Sequence, residues 1–249
     1  MITTLTRTAA VARRVLSQLR HDRRFLALSM LMPVAIVYVL YVFLDSINTP
    51  LFDASAYVIP FGAFEIHFIT FILTAIVLVR ERVNETLARM LINGYRQGEI
   101  ITGYLAAYTL LATVQSLIVL AEITWLFDLD YSFERQASIY LVMWLLAVIS
   151  MALGILISNF ARSEGQVIPF IPLVLLPSIF LSGIVLPVDN LPNWAQGLSW
   201  LTPLYHAEEV LRPLVAGEAL SEHWGRLAML PLYGLIVLVV ARWTLNERD

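Results

Sequence analysis

Six long apolar stretches constrain the fold of this chain more than any other feature of its sequence. Each has about 20 residues or more, and about 20 helical residues cross the roughly 30 Å hydrocarbon core of a bilayer. Of the 249 residues, 59% are hydrophobic and 14% are charged, whereas soluble domains have about 25% charged residues. We therefore expect an all-α integral membrane protein with one transmembrane domain over residues 1–249. Its predicted spans are 25–44, 58–79, 100–127, 137–160, 167–188 and 223–243.

The arginines predict the orientation of these spans. All 16 basic residues are arginine, and basic residues concentrate in cytoplasmic loops. With the N-terminus inside, only Arg135, Arg212 and Arg226 fall outside. Both termini are therefore expected in the cytoplasm. A signal peptide cleaved near Ala54-Ser55-Ala56 is disfavoured, because the preceding apolar run is too long and the site lies too far beyond it.

Residues 1–24 carry an amphipathic pattern. At 100° per residue, one side collects Val11, Ala12, Val15, Leu16 and Leu19, and the other collects Arg7, Arg13, Arg14, Arg20 and Arg24. Such a helix lies at the headgroup level with its arginines toward anionic lipid. The alternative is an ordinary basic flank of the first span.

A charged island over residues 80–93 separates the second and third spans. On a single helix, its apolar residues would form one stripe at i, i+4, i+7 and i+8. They are Val83, Leu87, Met90 and Leu91, while Arg82 and Glu85 are among its charged residues. A short amphipathic helix between two spans predicts a docking surface for a soluble partner.

Prolines and aromatic residues distinguish the fifth span and the segment after it. Pro177, Gly183 and Pro187 disturb a regular helix, and broken helix in lipid must be covered by protein or line a cavity. The segment 189–215 is rich in tryptophan and tyrosine, which suit a membrane interface. It predicts outer re-entrant helices, and the alternative is a loop on the membrane surface.

Glu65 is the carboxylate closest to the centre of a predicted span. Buried charges in membranes usually face the interior of a helix bundle or a cavity. One interpretation places Glu65 on a transport path or at the seam of a dimer. The other is a protonated carboxyl that is hydrogen-bonded to a neighbouring helix or lies close to the outer interface.

The composition excludes several kinds of chemistry. A nucleotide-binding P-loop requires lysine, and this chain has none. It also has no cysteine, and its four histidines are too scattered in sequence for a credible zinc site. A net charge of −3 provides no basic surface for nucleic acid. We expect no enzymatic activity, no metal and no cofactor in this chain.

Three motifs carry a family resemblance over roughly residues 10–213. The first is Arg-Arg-Phe-Leu with Pro33 in the first span, after the arginine-rich segment. The second is Glu81-Arg82 through Thr86-Leu87, followed by 96–103. The third joins 181–183, Pro187, 191–194 and 203–205. Together they resemble the ABC-2 type permeases, the membrane subunits of many ABC exporters. The family often has an acidic residue at the position of Val83 and a glycine at that of Glu85.

The resemblance implies an arrangement of partners. Two permease copies form a dimer, a homodimer for this chain, in a bacterial plasma (inner) membrane. Each copy binds a cytoplasmic P-loop ATPase that holds ATP and magnesium, and together they export an amphipathic drug-like molecule, lipid or lipid-linked glycan. Residues 1–24 become the connecting helix beside membrane lipid, and 80–93 become the coupling helix. The coupling residues are Arg82, Val83, Glu85, Leu87, Met90 and Leu91.

Two other functions are compatible with six spans and a charged segment between the second and third. A membrane scaffold or assembly factor would recruit a cytoplasmic protein through the island without transporting anything. A secondary transporter would more often show an internal repeat and several charges within its spans, and neither is evident here.

Overall fold

The structure, a computed structural model, describes residues 2–46 and 55–246. These residues form eleven α-helices, two short 3₁₀ turns (Val188–Asn190 and Leu220–Glu222) and no β-strand. In chain order the helices are α1 (Ile2–His21), α2 (Arg23–Ser46), α3 (Ser55–Val83), α4 (Thr86–Ile92), α5 (Gln97–Leu126), α6 (Phe133–Ser158), α7 (Glu164–Val167), α8 (Phe170–Leu181), α9 (Asn193–Ser199), α10 (Pro203–Ala216) and α11 (Trp224–Asn246).

Six segments are long and apolar enough to cross a membrane, which confirms the predicted all-α multi-pass fold. They are α2, α3, α5, α6, the α7–α8 pair and α11. The helices continue beyond the apolar runs from which the spans were predicted. Helix α3, for example, ends at Val83 rather than near residue 79, because charged residues can extend a helix beyond the hydrocarbon core.

The helices of the fifth candidate span have different bounds from the predicted 167–188. Helix begins at Glu164, is interrupted at Ile168–Pro169 and ends at Leu181. Gly183 has a φ of +100°, a left-handed conformation that cannot continue a right-handed helix. The apolar residues from Ile184 onward therefore belong to an irregular connection. Pro177 lies within α8, and Pro187 immediately precedes the 3₁₀ turn.

Helices α3 and α6 form the centre of the bundle. Phe71 of α3 and Met143 and Leu146 of α6 are fully buried. Gly154 permits a close approach, because a Cβ at that position would lie 2.7 Å from the carbonyl oxygen of Phe71. By contrast, 17% of the apolar window of α2 is buried, and the same share of that of α7–α8. These two spans therefore lie at the periphery of the single chain.

Helix α1 packs on the first turns of α5. Val11, Val15 and Leu19, from the apolar side of the helix, are buried against the bundle, and Val11 contacts the α5 backbone at Gly103. The Asp22 carboxylate accepts a hydrogen bond from the Phe25 amide at 3.0 Å, which caps the start of α2. We call the side of the bundle that carries α1 and α4 the arginine-rich end, and the side that carries α9 and α10 the opposite end.

Candidate functional site

The island predicted as one helix over 80–93 is divided into two in the structure. Helix α3 ends at Val83 and α4 begins at Thr86, with Glu85 between them at a φ of 56°. This left-handed residue changes the chain direction, so the single stripe expected for Val83, Leu87, Met90 and Leu91 does not form. Val83 belongs to α3 and is 56% exposed.

The two sides of α4 have different surroundings. Met90 is buried, and Leu87 and Leu91 are half-buried against the hydrophobic core. Ala88 and Arg89 are exposed, and Ile92 is 85% exposed. The helix therefore attaches to the bundle by one face and presents the other to its surroundings.

Arg14 connects α1 to three other helices at this end. Its guanidinium donates to Glu81 Oε2 of α3 at 2.9 Å, to the Tyr104 hydroxyl of α5 at 3.4 Å and to Met90 Sδ of α4 at 3.6 Å. The helical pattern of α1 had placed Arg14 with the lipid-facing arginines. Its partner Glu81 lies 67 residues away in sequence, so no local pattern could reveal this contact.

A second basic residue of α1 reaches the loop after α4. Arg7 donates to the carbonyl of Gly94, lies 3.8 Å from Glu99 and stands 5.8 Å from the centre of the Tyr95 ring. Glu99 in turn accepts from the Arg96 amide at 2.9 Å and caps α5. Helix α1 is thus attached to both sides of the α4 segment.

Arg82, predicted as a coupling residue, faces the end of α6. It donates to the carbonyl groups of Ser158 and Ala161 and to Asn159 Oδ1 at 3.0 Å. Asn159 Nδ2 donates to the Ala241 carbonyl at 2.8 Å and contacts Thr244 at 3.0 Å. One polar cluster therefore joins α3, α6 and α11 and satisfies carbonyl groups that the end of α6 leaves open.

A cavity of about 450 Å³ lies between α4 and the bundle. Apolar side chains form most of its wall, and polar groups of the α6 end form one side. Its lining residues are Leu78, Arg82, Leu87, Ala88, Leu91, Gln97, Ile100, Ile101, Tyr104, Ile155, Ser158, Asn159, Ala161, Arg162 and Thr244.

Glu65 lies inside the single-chain bundle and is 4% exposed. Glu122 of α5 is the ionisable side chain that acts on it electrostatically. One carboxylate oxygen on each of the two side chains is buried without a hydrogen-bond partner among the described residues. The predicted hydrogen bond to a neighbouring helix is therefore not formed by Glu65 Oε1.

His67 and Gln115 join helices within the membrane. His67 is fully buried between two hydroxyl groups, those of Ser150 on α6 at 2.7 Å and Ser178 on α8 at 3.2 Å. Gln115 Nε2 donates to the Ser29 carbonyl of α2 at 2.8 Å. The His67 side chain thus links α3 to α6 and α8, and the Gln115 side chain links α5 to α2.

The irregular connection after α8 is held by a charged side chain from α10. Arg212 donates to the carbonyl of Gly183, and its guanidinium lies 3.7 Å from Glu208. Pro187 is exposed, whereas Pro177 is half-buried within α8. Among the residues that the structure describes, Gly183 makes a polar contact between helical segments, and none is recorded for Pro177 or Pro187.

Glu208 is a buried acidic residue that the sequence reasoning missed. It is 1% exposed, and neither carboxylate oxygen has a hydrogen-bond partner among the described residues. Burial raises the pKa of the Glu208 carboxyl to about 8, although Arg212 acts in the opposite direction. A signal was present in the sequence, because Leu204, Ala207 and Leu211 recur at helical spacing and Glu208 falls on the same side of the helix. In the structure all four residues are buried.

One histidine lies beside acidic residues at the opposite end. His223 Nε2 is 2.8 Å from Glu218 Oε2, and the ligand atoms of these residues and Glu222 lie within 4.8 Å of one another. Both glutamates are exposed. The Glu218–His223 hydrogen bond accounts for the proximity of those two side chains.

Comparison with known proteins identifies the family. The family model described as ABC-2 type transporter matches residues 6–215, which is most of the chain. The chain belongs to the ABC-2 type transporter family. Residues 2–46 and 55–246 of this ABC-2 chain supply the six membrane-spanning segments described above.

Its relatives include proteins with transport names. The probable multidrug ABC transporter permease YbhR of Escherichia coli K12 is 29% identical over 148 residues, which is 59% of this ABC-2 chain and 40% of YbhR. Nodulation protein J of Neorhizobium galegae is 29% identical over 174 residues, covering 66% and 64% of the two chains. The linearmycin resistance permease protein LnrN of Bacillus subtilis is 25% identical over 142 residues, covering 57% and 36%. The ABC-2 chain thus matches less than half the length of YbhR and of LnrN.

Proposed function

We propose that this chain is the membrane subunit of an ATP-driven exporter and that a separate cytoplasmic P-loop ATPase binds its α4 helix. The geometry of α4 carries the proposal. It is a short helix set apart from α3 at Glu85, with one face attached to the bundle and Arg89 and Ile92 exposed on the other. We propose that this end, with both termini, faces the cytoplasm of a bacterial inner membrane, and the excess of arginine at this end supports the orientation.

The contacts of Arg14 support a route by which α4 moves the spans. Met90 of α4, Glu81 of α3 and Tyr104 of α5 all contact this one guanidinium. Part-buried charge-assisted hydrogen bonds are among the stronger polar contacts in proteins. A displacement of α4 by the ATPase would therefore reach α1, α3 and α5 together.

The proposed coupling residues now have distinct roles. Leu87, Met90 and Leu91 attach α4 to the bundle, and the Glu85 backbone sets its direction. Arg82 attaches the end of α3 to α6, while exposed Val83 lies beside the docking face. The ATPase itself would contact the exposed residues of α4.

We infer an amphipathic substrate, such as a drug-like molecule, a lipid or a lipid-linked glycan. The names of YbhR and LnrN, a multidrug permease and a linearmycin resistance permease, support this class. Glu65, Pro177, Gly183 and Pro187 remain our proposed path residues. Replacing Glu65 by Gln tests the first of them, since a path residue would change substrate preference whereas a purely structural one would lower folding yield alone.

A second copy of the chain completes the proposed exporter. Two peripheral spans, α2 and α7–α8, leave apolar side chains exposed, including Val39, Leu173 and Phe180. Lipid covers such surfaces equally well, so the oligomeric state needs its own measurement. Because the chain lacks cysteine, cross-linking through single cysteines at Val39 or Leu173 reports the contact without background.

The docking proposal is tested by purification from native membranes and measurement of bound ATPase activity. Substituting both Arg89 and Ile92 by Asp reverses the charge of the exposed face and removes its apolar side chain, and it is expected to remove the ATPase. Leu5→Asp is the matched control, because Leu5 is 83% exposed on α1 at the same end. Retention of the ATPase by the double variant would refute docking at α4.

Coupling is tested separately in vesicles reconstituted with the ATPase. Substituting Leu87 and Met90 by Ala weakens the attachment of α4 while preserving its exposed face. The ATPase should still bind, but ATP-driven transport should fall severalfold. Intact transport would refute coupling through α4, and a bound partner without ATPase activity would favour the scaffold function instead.

A further inference from the structure

The cavity beneath α4 has the properties of a ligand site. Its volume of about 450 Å³ falls within the range of about 300–1,000 Å³ that is typical of small-molecule sites. It lies between the coupling segment and the ends of α3, α5, α6 and α11. This position is at the arginine-rich end of four spans, where acyl chains meet lipid headgroups.

The wall of the cavity is apolar, and its charged residues are all basic. Leu87 and Leu91 face Ile100, Ile101 and Ile155 across it. Arg82 and Arg162 supply the charge, and the described lining residues include no carboxylate. A smaller cavity of about 130 Å³ at the same end is lined by side chains of both charges, namely Asp22, Glu81 and Arg80.

The two arginines differ in their freedom to bind an anion. Arg82 is held by the carbonyl groups at the end of α6 and by Asn159. Arg162 is exposed, and no described carboxylate lies within 4.0 Å of its guanidinium. Its backbone amide donates to Gln166 Oε1 at 2.7 Å, which fixes the chain from which the side chain extends. Arg162 is therefore the side chain available for a phosphate.

We propose that this cavity binds an anionic phospholipid of the inner leaflet, with one acyl chain against the leucine and isoleucine wall and the phosphate at Arg162 beside Arg82. Arginine donates to phosphate through paired N–H groups, and the apolar wall gains by covering a hydrocarbon chain. The bound chain would separate α4 from α6 and α11. It would thereby limit how far α4 can move toward the bundle.

The test uses the full-length chain in phosphatidylcholine vesicles with a trace of spin-labelled phosphatidylglycerol or of spin-labelled phosphatidylcholine. We expect a slowly exchanging, immobilised fraction of phosphatidylglycerol. Both lipids carry a phosphate, but the choline ammonium offsets its charge in phosphatidylcholine, whereas phosphatidylglycerol keeps a net negative charge. Arg162→Gln removes the opposite charge and should therefore lower the preference for phosphatidylglycerol over phosphatidylcholine at least about fivefold. Ile101→Trp, which places a larger side chain in the cavity, should lower the immobilised fraction of both lipids.

The matched control is Arg13→Gln, which removes an equal charge from an exposed position of α1 at the same end. An equal loss of preference in this control would overturn the proposal, because it would show a general attraction of the basic surface. Binding of soluble decyl phosphate without immobilised phosphatidylglycerol would overturn it in favour of a soluble amphiphile. The assay contains no ATPase, so its failure leaves the proposed exporter function untouched.

Discussion

The backbone conformation of Glu85 explains why the family often has glycine at this position. Its φ of 56° lies in the left-handed region, which costs an ordinary L-residue about 1–2 kcal/mol. The resembling family often has glycine at this position, and glycine adopts the conformation without steric cost. In the sequence, Glu85 differs from the family pattern in its charge. The structure shows that the position also requires a left-handed backbone conformation, which glycine adopts more easily than glutamate.

Replacing Glu85 by Gly should leave the protein more stable than replacing it by Ala. Both variants lose the same carboxylate, but alanine keeps the Cβ that crowds the left-handed backbone. We expect a difference of about 1 kcal/mol in unfolding free energy, measured as a difference in melting temperature in detergent. An alanine variant as stable as the glycine variant would contradict the assigned backbone conformation.

Glu208 should make stability depend on pH. Burial raises the pKa of its carboxyl from an ordinary 4.5 to about 8, so between these values the folded state retains a proton that the unfolded chain has lost. This contribution is complete below about pH 4.5 and disappears as the pH rises through 8. The wild-type melting temperature should therefore fall across this interval.

The neutral variant Glu208→Gln is the control for this titration. An amide cannot ionise, so its melting temperature should decline less between pH 5 and pH 8.5 than that of the wild type. Parallel curves for the two proteins would show that Glu208 does not titrate in that interval.

At the scale of elements, the contact between α3 and α6 depends on Gly154. A Cβ there would lie 2.7 Å from the Phe71 carbonyl oxygen and 2.9 Å from the Thr74 Cβ. Gly154→Ala should force the two helices apart and cost about 1–3 kcal/mol, seen as a lower melting temperature. Gly225→Ala in α11 is the control, because nothing lies within 4 Å of its added methyl group. Equal effects would mean that helix propensity, rather than packing, decides the outcome.

The sequence pattern within a single helix predicted which of its residues share one face. The buried side of α1 and the six apolar spans follow from spacing along the chain, because helix geometry fixes which neighbours share a face. The partners of Arg14 and Arg82 lie 67 and 76 residues away. Their pairing depends on how whole helices meet, which no single helical pattern contains.

The residues at which helices end could not be predicted from hydropathy or helical spacing. Hydropathy continues without a break from α8 into residues 184–188, so it could not show that Gly183 reverses the backbone. Likewise, a helical stripe drawn through Val83 and Leu87 assumed continuity across Glu85. In both cases one residue with a positive φ decides where an element stops.

For the whole molecule, the absence of cysteine permits a direct test of orientation. Single cysteines at Ile92 and Trp194 would be accessible, because these side chains are 85% and 70% exposed. In intact cells a membrane-impermeant maleimide should label the cysteine at position 194 and not that at 92. After permeabilisation both should react, and labelling of position 92 in intact cells would refute the proposed cytoplasmic site.

The short fifth span has a consequence for the surrounding bilayer. Helices α7 and α8 together cover 18 residues, a rise of about 27 Å. The 30 residues of α5 rise about 45 Å. A span shorter than the roughly 30 Å hydrocarbon core is accommodated by local thinning of the bilayer. If α7 and α8 alone cross the hydrocarbon core, we expect the bilayer to thin beside α8, and the activity of the protein should then depend on the acyl-chain length of the surrounding lipid.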